Sequence, residues 1–126
     1  MKFMLLIYAP EEAYGPGERE ACYEESLDLS HDLNRAGNYL HASPLQSVVT
    51  AKSLRVRNGQ TFVTDGPFAE TREQLGGYYL VEARDEQEAL EIAARIPGAR
   101  VGTVEVRPVV ELPNLPEVAP LEKSLI

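Results

Sequence analysis

Leu54-Arg55-Val56-Arg57-Asn58-Gly59-Gln60-Thr61-Phe62-Val63-Thr64 is the stretch from which the fold is read. Two runs of β-forming residues flank Asn-Gly, the pair that supplies the positive φ angles a two-residue hairpin turn needs. That turn fixes the register. Leu54 faces Val63 and Val56 faces Thr61 on one side, while Arg55 lies opposite Phe62 on the other, where its stem can cover the ring. An antiparallel hairpin therefore sits in mid-chain, and the segments on either side must be arranged around it.

Working toward the N-terminus, residues 39–52 read as a short strand, a turn at Ser43-Pro44 and an irregular extended segment. Before them a helix is expected from Glu18 to Ala36. Its apolar side follows Cys22, Ser26, Leu29, Leu33 and Ala36, at alternating spacings of four and three. Glu18 and Glu20 suit the positive end of the helix dipole, and Gly37 provides a left-handed C-terminal stop. The opening run, Lys2 to Tyr8, reads as a buried strand. It resembles the start of a signal peptide, but it is short and leads into Pro10-Glu11-Glu12 without a small-residue cleavage pattern.

Working toward the C-terminus, Thr71-Arg72-Glu73-Gln74 matches a capping box and predicts a short helical turn. Gly76-Gly77 should release the chain into a strand from Tyr78 to Ala83. A second helix starts at Asp85, with Glu88 as capping partner, and buries Ala89, Leu90, Ala93 and Ile96 before Pro97-Gly98 ends it. A last strand spans Val101 to Val106. The expected order is β-α-β-(hairpin)-β-α-β, an α+β ferredoxin-like arrangement with an inserted hairpin. The domain is read as residues 1–108, followed by a proline-rich extended tail, 109–126, with Pro113, Pro116 and Pro120. Helices on one face leave the other face of the sheet bare. If that face carries Phe3, Leu5, Tyr79 or Val81, a second copy is the economical cover, and a homodimer is expected.

Composition narrows the function classes. The 126 residues allow one domain with a real core, and 44% apolar with 25% charged residues is ordinary for a globular chain. A net charge of −8 argues against phosphate-backbone binding, so no nucleic-acid partner is expected. No run approaches a membrane span, and no membrane partner is expected. The single cysteine, Cys22, excludes an internal disulfide and reads as a small helix hydrophobe; the default location is cytoplasmic.

The segment from Phe62 through Asp65-Gly66-Pro67-Phe68 to Tyr78-Tyr79-Leu80 strongly resembles the YCII-related family in its DGPF-motif branch. Met1 to Tyr8 and Ala94-Arg95-Ile96-Pro97 running into Val104-Glu105-Val106-Arg107-Pro108 resemble the same branch. The resemblance covers about residues 1–110 and implies a dimeric α+β barrel. In the YCII branch a histidine on the first helix and an aspartate after the second form a proposed catalytic pair. By spacing these positions fall here on Ser26 and Ile96, neither of which can act as acid or base, so that chemistry does not transfer.

Asp65 is then the leading candidate. A carboxylate at a strand end before Gly-Pro can face a cavity beneath the sheet and act as base or anchor, or simply accept backbone N–H bonds in the turn. Phe68, Tyr78 and Tyr79 beside the double glycine suggest an aromatic rim for a flat organic ligand, against ordinary packing. His41 can reach the cavity or the dimer contact. His31, beside Asp28, reads as solvated helix surface pointing elsewhere, and one helix face rarely completes a metal site. Arg55 and Arg57 could recognise a carboxylate, although exposed arginines on a strand are commonplace. The ligand set is Asp65, Phe68, Tyr78 and His41, with Asp65 also the catalytic candidate and no metal or cofactor expected. Two functions stay open. The favoured one is a small-molecule-binding or regulatory homodimer; the alternative is a cofactor-independent lyase, isomerase or oxygenase acting on a small organic substrate.

Overall fold

The computed structural model describes residues 1–116; residues 117–126, the end of the expected tail, lie outside the described residues. The chain forms β1 (Lys2–Ala9), α1 (Glu18–Ala36), β2 (Tyr39–Pro44), β3 (Lys52–Arg57), β4 (Gln60–Asp65), β5 (Gln74–Glu82), α2 (Glu86–Ala94) and β6 (Thr103–Pro108), with short 3-10 turns at Glu11–Ala13, Val48–Thr50 and Pro97–Arg100. Strands β2, β5, β1 and β6 build one sheet in that order, every pairing antiparallel; β3 and β4 form a separate two-stranded sheet. This is a mixed α+β fold with two helices.

Helix α1 has the bounds its sequence predicts. Gly37 ends it at φ 83°, where its N–H reaches Asn34 and Leu33 carbonyls, a position a side chain would strain. The hairpin register is also as expected: Leu54 pairs with Val63, Arg55 with Phe62 and Val56 with Thr61. Asn58 and Gly59 adopt φ 51° and 76°, the mirror-image turn that matches strand twist.

The core lies between the helices and one face of the four-stranded sheet. Phe3, Leu5, Tyr79, Val81 and Ala83 from the strands meet Leu29 and Leu33 of α1, Ala89, Ile92 and Ala93 of α2, and Ile96. Phe3, Leu5, Tyr79 and Val81 are therefore covered by helices, not presented on the bare face. That face instead carries the alternate residues Met4, Leu6, Tyr8, Tyr78 and Leu80, all half-buried.

Other expectations are corrected. Residues 71–73 form no helical turn: the Thr71 hydroxyl donates to the Glu73 carbonyl (2.6 Å) and the Gln74 side-chain amide to the Thr71 carbonyl (2.7 Å), and the chain enters β5 at Gln74. These local side-chain bonds compete with the helix. The double glycine lies inside β5, where Gly76 is an extra residue between the Ile7–Gly77 and Tyr8–Leu75 pairs. In α2, Leu90 is 46% exposed and Ile92 takes the inward place. Asp85 caps this helix by accepting the Glu88 N–H at 2.9 Å, but the Glu88 carboxylate reaches Arg84 N–H and not that of Asp85. The last strand begins at Thr103, after the 3-10 turn, and extends to Pro108.

Candidate functional site

A cavity of about 740 Å³ lies between α1 and the β2–β5 side of the sheet. Three anchors hold its shape. At the inner end, the buried Tyr79 hydroxyl donates to the Ser26 carbonyl of α1 (2.8 Å), an acceptor shared with the Ser30 hydroxyl (2.9 Å). Burial raises the Tyr79 pKa, so the phenol stays protonated and keeps that donor at neutral pH. Arg100, in the turn after α2, makes two hydrogen bonds to Glu25 (2.7 and 2.9 Å), tying α1 to the wall that includes Ile96 and Gly98. The Arg100 hydrogen bonds and charge lower the Glu25 pKa.

The third anchor is Glu11, from the turn after β1. Its carboxylate accepts the Val48 N–H (2.7 Å) and the Ser47 hydroxyl (2.8 Å), holding residues 45–47 as an outer wall. The backbone bond from Val48 leads the lowering of its pKa, with Ser47 next.

Inside this frame the lining is aromatic and apolar with a few polar groups. Tyr14, Tyr23, Tyr39, Tyr78 and Tyr79 contribute the aromatic surface, and Ile7, Leu27 and Leu45 the aliphatic one. The Arg19 guanidinium lies 4.7 Å from the centre of the Tyr14 ring, within cation–π range, and donates to the Glu11 carbonyl at 3.0 Å. The Cys22 thiol lies 3.9 Å from the Tyr14 hydroxyl, and burial followed by Cys22 raises the Tyr14 pKa. Cys22 and Ser26, expected as packing positions on α1, both line the cavity and are only half-buried.

The residues singled out from the sequence scatter. Asp65 is outside the cavity, its side chain 84% exposed and ion-paired with Lys52 across the end of the hairpin. It does not face a space beneath the sheet, because the hairpin forms a sheet of its own. Phe68 is 82% exposed and borders a broader, more open groove of about 970 Å³ together with Tyr8 and Leu75. Tyr78 and His41 do come together: the Tyr78 hydroxyl is 2.7 Å from His41 Nδ1 and the rings stack at 5.7 Å. They meet on the bare face because Leu40 is an extra residue in β2, so Tyr39 pairs with core-facing Val81 and His41 with Leu80. Tyr78 and Tyr79 thus point to opposite faces of β5, yet both border the cavity, and of the expected aromatic rim only Phe68 stands elsewhere. His31 is exposed but stands on the cavity border instead of pointing away. Arg55 and Arg57 are exposed on the hairpin.

Sequence reasoning missed Tyr14, Arg19 and Glu11, which stand in and around a loop with no periodic signal. Among the described residues no cluster of three or more metal-ligating side chains occurs, and no helix is long and apolar enough to cross a membrane.

Fold and site together define an α+β domain with a ligand-sized cavity under its long helix. The chain belongs to the YCII-related domain family, whose model matches residues 1–113. It is 35% identical over 113 residues to an uncharacterized protein of Rhizobium meliloti (strain 1021), covering 86% of this chain and 91% of that one. Ser26 of α1 and Ile96, after α2, both border the cavity.

Proposed function

We propose that this YCII-family protein binds a small organic molecule in the cavity between α1 and the sheet. The observation that carries this reading is the cavity itself: its volume falls within the range of ligand pockets, and its lining is apolar and aromatic with a few fixed polar groups. We further propose a DGPF-branch member with a ferredoxin-like fold that dimerises sheet to sheet as an α+β barrel in the cytoplasm. The half-buried strip of Met4, Leu6, Tyr8, Tyr78 and Leu80 on the face without helices supports the dimer. The His41–Tyr78 pair would then lie within that contact, and Asp65 would serve as the ion-pair partner that closes the hairpin.

A cofactor-independent enzyme is the second reading, favoured by the His41–Tyr78 hydrogen bond, a geometry suited to moving a proton. A thermal-shift screen of small organic acids, amides and phenols, with turnover followed in parallel, tests both. Stabilisation without turnover is expected; turnover abolished by His41→Asn would favour the enzyme, and no response to any compound would defeat the binding reading. Sedimentation at micromolar concentration should give twice 13.9 kDa, and a 13.9 kDa species would refute the dimer.

A further inference from the structure

Arg19 is conspicuous in the cavity wall. It is half-buried, and it takes part in no ion pair among the described residues, although the chain carries 20 acidic residues against 12 basic ones. Its charge helps to lower the Glu11 pKa, but both Glu11 oxygens are engaged, by Val48 N–H and the Ser47 hydroxyl. One guanidinium nitrogen holds the Glu11 carbonyl, and the Tyr14 ring fixes the guanidinium plane from one side. A guanidinium has five N–H donors in a planar fork, so most of its capacity is left over. Held by the Glu11 carbonyl and the Tyr14 ring, this long side chain has little ordering entropy left to lose on forming a further contact.

Two hydroxyls border the same space. Among the described residues the Tyr14 oxygen is approached only by the weak Cys22 thiol, and the Ser26 hydroxyl makes no hydrogen bond, although the Ser26 carbonyl accepts two. Around these donors stand the rings of Tyr23, Tyr39 and Tyr79.

Resting on the small-molecule reading above, we propose that the ligand is a planar aromatic carboxylic acid, with its carboxylate on Arg19 and its ring among the cavity tyrosines. A preordered arginine that stands outside any ion pair among the described residues, in a semi-enclosed pocket, matches a carboxylate in shape and charge, and the aromatic lining matches a flat apolar body. A neutral amide of the same outline keeps the stacking but loses the charge-assisted pair.

The test uses calorimetric titration of the full chain with 2-naphthoate and 2-naphthamide, and with benzoate and benzamide, at pH 7. The acids should bind at least about tenfold more tightly than their amides, the expected scale for losing a charged hydrogen-bonded contact. Arg19→Met should abolish that preference and leave amide binding in place, and the amide titration together with circular dichroism establishes that the variant is folded. Acids and amides binding wild type equally would overturn the carboxylate assignment while leaving the small-molecule reading standing. Binding of none of the four at millimolar concentration would overturn both.

Discussion

Glu11→Gln gives the sharpest test of how the outer cavity wall is held. The wild-type carboxylate ends two hydrogen bonds, one from Val48 N–H at 2.7 Å and one from the Ser47 hydroxyl at 2.8 Å. Glutamine keeps one acceptor oxygen and replaces the other with a donor, so one bond is lost and the other loses its charge. Bonds to charged groups contribute roughly 1.5–3 kcal/mol when shielded. This carboxylate is close to solvent, and screening reduces the expected loss to about 1 kcal/mol. For a domain of this size that is a fall in Tm of about 4 °C. The pH dependence is the more specific signature. Because the folded-state pKa lies below its ordinary value of 4.5, the carboxylate's contribution is complete above that value and is lost as pH falls through the lowered one. Urea melts of wild type and variant from pH 7 to pH 3 should therefore show a gap that is constant near neutrality and closes in acid. Equal stability at pH 7, or a gap that survives unchanged at pH 3, would refute the argument. Ser47→Ala should be non-additive with Glu11→Gln, since both remove the same bond.

Three further outcomes follow from the packing. Leu33 is fully buried between α1 and the sheet, so Leu33→Ala should cost about 2–5 kcal/mol in urea denaturation, and a loss under about 1 kcal/mol would contradict its core position. Gly102→Ala should destabilise by about 1–3 kcal/mol or more, because a Cβ there would stand 1.9 Å from the Tyr8 carbonyl oxygen and 2.8 Å from Ala9 Cα; a neutral melt would show that the approach to β1 is looser than described. Asp65→Asn should shift stability by no more than about 0.5 kcal/mol, as an exposed ion pair, and leave cavity binding untouched. Loss of binding in that variant would return the site to Asp65.

Legibility in the sequence tracks how local the physics is. The α1 boundaries were readable because Glu18 and Glu20 mark its acidic first turn and Gly37 stops it, and the hairpin register followed from Asn58-Gly59 alone. The Thr71–Gln74 motif misled because its side chains donate to nearby backbone carbonyls in a bend, which a capping pattern cannot distinguish from a helix start. Leu90 and Ile92 lie on opposite sides of a short helix, and packing against the sheet decides which of the two turns inward. The site was least legible. The family segment around Asp65 is memorable as sequence, yet it belongs to a hairpin in its own sheet. The cavity depends on three contacts between residues far apart in sequence: Glu11 with Val48, Glu25 with Arg100 and Tyr79 with Ser26. No local pattern announces any of them. The extra residues at Leu40 and Gly76, which decide which face His41 and Leu75 join, are equally silent in a chain read strand by strand.

The bond from the Tyr79 hydroxyl to the Ser26 carbonyl has a consequence for what the cavity can discriminate. It pegs the middle of α1 to the sheet at the inner end, whereas the outer wall is a short turn held by the Glu11 carboxylate and by one backbone bond, from Leu45 N–H to the Gly76 carbonyl of β5 (2.8 Å). The space is thus a socket of set depth whose lip is the more exposed and more lightly held part. Homologous ligands that differ by substituents pointing outward should be accepted at similar affinity, while lengthening at the inner end would have to break a buried phenol's hydrogen bond. Selectivity in such a socket is graded along one axis, strict at the floor and permissive at the mouth.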